Sequence, residues 1–229
     1  MMKNSLITVL ALLFFSSGIA QSNKSEQITL EKQILKRAKL FSDLNVAKTS
    51  MYKIIELEGE NSTYKDSLAY VYFSERNYAP CFMVTNEVLK REPKNKEMLE
   101  MQAVSLESLG AYGKAVESYE KLYDLTNLNY YGYSVAKLKY NTKQFEEAYT
   151  LIQQVEKLND SGKYHVTYAV NQNYNQQVEL LAAIQYLKGV ISEELNKNDI
   201  AKAAYKKALT IQTDFALAKD NLNRLEEEK

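Results

Sequence analysis

A fixed spacing constrains this chain more than any other feature of its sequence. Ala47, Cys81, Ala115, Ala148 and Ala201 lie 34, 34, 33 and 53 residues apart. Leu35, Ala69, Ala103, Ala136 and Gly189 follow the same intervals. So do Ile54, Val88, Leu122, Val155 and Ala208, and Met51, Thr85, Tyr119, Ile152 and Tyr205. Leu44, Tyr78, Tyr112 and Phe145 form a further series whose next member would be Asn198. The last interval is one period carrying a 19-residue insertion. Several columns in register, most of them matched in size, describe a row of like units that bury their faces against one another.

Each unit has the pattern of two helices joined by a tight turn. In the third, the spacing predicts a helix from Glu97 to Leu109, with Leu99, Ala103 and Leu106 on one face and a break at Gly110. A second helix follows with Ala115, Tyr119 and Leu122 in line, widened by Val116, Tyr123 and Leu125. One such pair cannot hide two apolar faces, so neighbouring units must. Composition agrees, because 7 Gly and 2 Pro in 229 residues are too few turn residues for a chain of many short strands. A HEAT-like array has a period of about 40–47 residues and misses this one. A plain bundle of amphipathic helices would show no constant period.

The residues from Leu109 to Leu122, with Gly110, Tyr112, Ala115, Tyr119 and Leu122 at their stations, resemble the tetratricopeptide repeat family. Gly189, Ala201, Tyr205 and Ala208 repeat the resemblance, and Pro93 stands where that family often ends a repeat. The early aromatic of the family's first helix is replaced by Glu31, Lys65, Leu99, Gly132 and Gln185. The resemblance implies an all-α fold, a solenoid of αα-hairpins wound as a right-handed superhelix. Its units fall at 28–61, 62–95, 96–129, 130–162 and 182–215, after a short lead at 21–27. A capping helix at 216–229 closes it, with Leu217, Asn221, Leu222 and Leu225 on one face.

The resemblance further implies a concave groove lined by the first helix of each unit, holding a peptide segment or a partner protein. The corresponding positions are Lys32 and Lys36 in unit one, Tyr70 and Phe73 in unit two, and Glu100 and Glu107 in unit three. Unit four supplies Tyr130, Tyr133, Lys137, Tyr140 and Asn141, and unit five supplies Tyr186. Members that clamp a terminal carboxylate pair Lys with Asn; Lys36 stands where that Asn would be, so this activity is not implied. Tyrosine suits a binding surface because it offers a large rigid area and a hydroxyl. Each of these tyrosines can equally serve as packing beneath the next unit. Tyr78, Tyr112, Tyr119 and Tyr205 fall in repeat columns and are expected to be structural.

The insertion, 163–181, follows a turn signal at Asn159-Asp160-Ser161-Gly162. It interleaves Tyr164, His165, Tyr168 and Tyr174 with Asn and Gln. From about Gln176 the pattern of Val178, Leu181, Ile184, Gln185 and Leu187 suggests that part of it lengthens the first helix of unit five. One reading makes it a loop beside the groove that contributes contacts. The other makes it an idle connection on a longer helix.

Lys3, the apolar run from Leu6 to Phe15 and the small residues up to Ala20 have the form of a secretory signal peptide cleaved before Gln21. The alternative is an uncleaved anchor, although the run is shorter than the ~20 residues of a spanning helix. No Cys follows the run, so a lipoprotein is not expected, and the mature chain would be periplasmic or secreted with no membrane span. Lys and Arg number 29, as do Asp and Glu, so no basic excess draws in nucleic acid. With one Cys and one His, no cofactor or metal site is implied. Cys81 sits in the small-residue column and is expected to be buried and inert. Two functions fit: a non-catalytic protein-interaction scaffold, or a small-ligand or glycan-binding module built on the insertion.

Overall fold

The computed structural model describes residues 23–159 and 162–227. The signal segment at 1–20 and the centre of the turn at 159–162 lie outside the described residues. The described residues form two compact units, divided between Pro93 and Lys94.

The first unit contains α1 (23–40), α2 (Leu44–Glu58), α3 (Tyr64–Ser74) and α4 (Tyr78–Arg91). Part of the expected lead at 21–27 is thus helical, continuous with α1. The second unit contains α5 (Lys96–Ser108), α6 (Tyr112–Thr126), α7 (Asn129–Asn141) and α8 (Phe145–Val155). Strands β1 (His165–Asn171) and β2 (Tyr174–Glu179) follow, then α9 (Leu180–Glu194), α10 (Asn198–Ile211) and α11 (Ala216–Glu227). Within each unit consecutive helices pack as hairpins, which is the all-α repeat architecture expected from the sequence with a two-stranded sheet added.

Four of the five columns are core. Every member of the Ala47, Leu35, Ile54 and Met51 series is buried, including Cys81, Thr85 and Gly189. The fifth column does something else. Leu44, Tyr78, Tyr112, Phe145 and Asn198 are the first residues of α2, α4, α6, α8 and α10. The column marks a helix start, so Asn198 belongs to it although it is polar, and Tyr112, expected to be structural, is 39% exposed.

Two residues before each start, Ser42, Arg76, Gly110, Lys143 and Asn196 adopt φ of 56°, 55°, 74°, 62° and 57°. Each ends the preceding helix with the same pair of backbone bonds. In the third unit Ala111 donates to the carbonyl of Leu106 (2.9 Å) and Gly110 to that of Glu107 (3.0 Å). The fourth repeats this with Gln144 to Lys139 (2.9 Å) and Lys143 to Tyr140 (2.9 Å). This left-handed cap satisfies carbonyls the helix would otherwise leave open. A side chain in that conformation costs about 1–2 kcal/mol, partly offset because glycine is freer in the unfolded chain. Lys143→Gly is therefore expected to stabilise the fold by up to about 1 kcal/mol, read as a higher melting temperature.

The insertion is a pair of strands rather than a loop or a lengthened helix. Residues 165–179 form an antiparallel hairpin, with Val166 opposite Val178 and Tyr168 opposite Gln176, and α9 begins only at Leu180. Tyr164, Val166, Tyr168 and Val170 alternate with polar or small residues, which is the strand period rather than the helical one. The turn is held by Asn171, whose Oδ1 accepts from the amide of Asn173 (2.9 Å). Gln176 and Val178, expected on a helix, are buried strand residues.

Candidate binding face

In the second unit the hairpin occupies three of the positions expected to line the groove, Tyr130 and Tyr133 on α7 and Tyr186 on α9. Tyr164 stacks on Tyr130, with centroids 4.5 Å apart and planes at 14°. The hydroxyls of Tyr168 and Tyr133 lie 2.7 Å apart. The Tyr168 ring also meets Tyr186 edge-on (5.3 Å) and Phe215 (5.3 Å), and Tyr186 meets Phe215 (4.9 Å). Val166 packs against the same core. Such ring pairs contribute about 0.5–1.5 kcal/mol each beyond the apolar area they bury.

Four of the residues read as partner contacts are therefore internal. Tyr133 is only 2% exposed, Tyr186 and Tyr164 are half-buried, and Tyr168 joins Tyr133, Tyr186 and Phe215. The alternation of β1 turns its aromatic face toward α7 and α9, which explains the correction. His165 and Tyr174 do face solvent, Tyr174 being 50% exposed at the turn.

The Gln residues of the insertion serve the same attachment. Gln176 donates to the carbonyl of Asp214 (2.7 Å) and accepts from the amide of Ala216 (3.0 Å), capping the start of α11. Gln212 donates to the carbonyl of Gln177 (3.1 Å) and accepts from the amide of Glu179 (2.9 Å). Gln212→Ala is expected to cost about 1 kcal/mol and to speed amide exchange at Glu179, measured by NMR.

The other positions remain on open faces. Glu107 accepts from Tyr119 (3.1 Å) and pairs with Lys137 (2.7 Å). Two repeat intervals later, Glu193 accepts from Tyr205 and pairs with Arg224. In these two repeats a carboxylate joins the repeat's own second helix to the next helix along. Tyr140 reaches Glu194 (3.5 Å), and Asn141 is exposed at the end of α7. Glu100 is half-buried beside Tyr131.

In the first unit, Lys32 pairs with Glu58 (3.0 Å), and Lys36 is exposed. Tyr70 is 46% exposed, while Phe73 is half-buried against Tyr78. Cys81 is buried, its thiol donating weakly to the carbonyl of Ala69 (3.7 Å). Among the described residues no group of three or more His, Cys, Asp or Glu could hold a metal ion, and no helix is long and apolar enough to cross a membrane.

Burial holds the phenols of Tyr119, Tyr131, Tyr133, Tyr168 and Tyr205 above their ordinary value. Burial and the bond to Tyr72 push Tyr52 up to about 12. A phenol whose folded pKa is raised contributes stability below its unfolded value near 10, and that contribution is lost as pH rises through the folded value. The melting temperature is expected to fall above pH ~10, with part of the tyrosinate absorbance appearing only on unfolding.

Residues 182–215 match the tetratricopeptide repeat family profile. No curated protein matches the chain by sequence. Among solved structures, the fold is similar to YrrB, described as a TPR protein with an unusual peptide-binding site. That likeness has a TM-score of 0.65 at 18% identity, over 90% of this chain and 96% of that one. It is also similar to MamA, with a TM-score of 0.63 at 12% identity over 84% and 95% of the two chains. MamA from Desulfovibrio magneticus RS-1, residues 41 to the end, gives 0.60 at 12% identity over 83% and 97%. The hairpin array thus has the fold of the tetratricopeptide repeat structures it resembles, and one of its units, 182–215, matches that repeat by sequence.

Proposed function

We propose that the protein is an exported, non-catalytic scaffold that holds a peptide segment or partner protein on the first-helix faces of its repeats. The observation that carries this is the set of groove positions still open once the hairpin is seated. In the second unit these are Glu100, Glu107, Lys137, Tyr140 and Asn141, and in the first Lys32, Lys36, Tyr70 and Phe73. The peptide-binding site named for the structurally similar YrrB supports a ligand of the same kind. A glycan module built on the insertion keeps one exposed ring, Tyr174, because Tyr164 stacks on Tyr130 and Tyr168 packs edge-on against Tyr186.

The test is a pull-down from cell-envelope extract with wild-type protein and a variant carrying Tyr70→Ala, Phe73→Ala, Lys137→Ala and Tyr140→Ala. The expected result is loss of at least one partner with the circular dichroism spectrum unchanged; a folded variant that keeps every partner overturns the groove. Export follows from the N-terminal signal pattern. Fractionation and N-terminal sequencing are expected to find the mature chain outside the cytoplasm, beginning at Gln21. A cytoplasmic chain beginning at Met1 contradicts export and leaves the groove untouched.

A further inference from the structure

The two edges of the hairpin are finished differently. On β2, the carbonyl of Gln177 and the amide of Glu179 point outward and are met by the side-chain amide of Gln212, which pairs with the strand as a backbone peptide would. Residues of an antiparallel ladder alternate between facing the partner strand and facing away. With 177 and 179 facing out, Val178 and Gln176 face β1, and their opposites Val166 and Tyr168 face β2. The backbone amides and carbonyls of His165 and Thr167 therefore point away from the sheet. Among the described residues no hydrogen bond reaches them, and both side chains are exposed.

Natural sheets usually blunt such an edge with a charge, a proline, a bulge or a covering element. β1 carries neither proline nor acid nor lysine, and its irregularity lies at the turn end, between Ala169 and Asn171. Beside its start, Tyr164 lies on Tyr130, and the next helix over is α5 with Glu100. Glu107, two turns further on, is neutralised by Lys137. Among the described residues no ion pair involves Glu100, whose carboxylate has the Tyr131 hydroxyl as its neighbour.

We infer that the outer edge of β1 takes an extended peptide of the partner as a third strand, with a lysine or arginine of that peptide against Glu100. This rests on the scaffold reading and names the segment it recognises. Main-chain bonds to His165 and Thr167 supply affinity, and Glu100 selects for a cation. A second copy of the chain is the weaker occupant, since one seven-residue edge paired with itself buries far less than the ~1,200 Å² of a stable interface.

The test is to pan a display library of random 12-residue peptides against the full chain and to synthesise a selected binder in plain and alternately N-methylated forms. Binders are expected to be enriched in Lys and Arg, and alternate N-methylation is expected to weaken binding at least tenfold. Thr167→Pro removes an outward amide, which an edge strand tolerates, together with the long, exposed bond its hydroxyl accepts from Gln177 (3.4 Å). It is expected to leave the melting curve in place and to weaken the plain peptide at least tenfold, while Glu100→Gln weakens it several-fold. Binding that survives both N-methylation and Thr167→Pro overturns the strand. If that same binding is lost in the Lys137→Ala, Tyr140→Ala variant, the scaffold reading stands without it. A library that yields no binder, together with an empty pull-down, overturns both. Self-association of the wild type that Thr167→Pro abolishes assigns the edge to a second copy and overturns the peptide.

Discussion

Tyr168→Ala is expected to destabilise the second unit by about 3–5 kcal/mol, the range for deleting a buried aromatic ring. The ring joins three elements at once, through Tyr133 on α7, Tyr186 on α9 and Phe215 before α11. Without it the hairpin keeps its ladder but loses the anchor that holds it on the helices. A lower melting temperature and a reduced near-ultraviolet circular dichroism signal are the measurements. Tyr168→Phe separates the ring from its hydroxyl. It keeps the packing and leaves the Tyr133 hydroxyl without its partner, at an expected cost of about 1–2 kcal/mol. If alanine costs no more than phenylalanine, the ring does not pin the hairpin.

The second large effect falls on Gly189. Its column otherwise holds Leu35, Ala69, Ala103 and Ala136, so alanine would look harmless from sequence. A Cβ there would stand 2.4 Å from Cε1, 2.7 Å from Cδ1 and 2.8 Å from Cζ of Tyr205. That ring is buried, and its hydroxyl is bonded to Glu193 and Asn221 (3.3 Å to Asn221), so it cannot swing aside without breaking both. Overpacking of this kind costs about 1–3 kcal/mol, which outweighs the roughly 0.5–1 kcal/mol alanine gains over glycine in a helix. Gly189→Ala is expected to lower the melting temperature. The double variant Gly189→Ala, Tyr205→Phe should cost less than the two changes summed, because the ring is then free to shift.

The parts of the fold readable in the sequence are those where one physical demand recurs with one kind of residue. Ala47, Cys81, Ala115, Ala148 and Ala201 are all fully buried and all small, so their period is visible. The left-handed caps recur with the same period and were unreadable, because Ser42, Arg76, Gly110, Lys143 and Asn196 share a conformation but no chemistry. Only Gly110 announced itself. The Leu44 column showed its position but not its meaning, since a helix start constrains the backbone more than the side chain.

The hairpin was hidden by two overlapping periods. Val178, Leu181, Ile184 and Gln185 fit a helix, and the first of them is the last apolar residue of a strand. The alternation from Tyr164 to Val170 was the competing signal, with Asn171 to close the turn. The positions expected to line the groove lie on α1, α3, α5, α7 and α9, yet what fills them was not legible. Tyr130, Tyr133 and Tyr186 do meet an extended, aromatic-bearing segment, and that segment is residues 164–168 of the same chain. A repeat pattern assigns a face to a residue but cannot say whether the occupant comes from outside or from an insertion thirty residues away.

The seating of the hairpin on the helices is tested most directly by ring-to-ring nuclear Overhauser effects in tyrosine-labelled protein, read together with residue-resolved amide exchange. Contacts from Tyr168 to Tyr186 and from Tyr164 to Tyr130 are predicted, with Val166 and Tyr168 amides protected and Thr167 exchanging fast. No ring contacts and uniformly fast exchange from 165 to 179 would contradict it, leaving the α7 and α9 faces open to a partner.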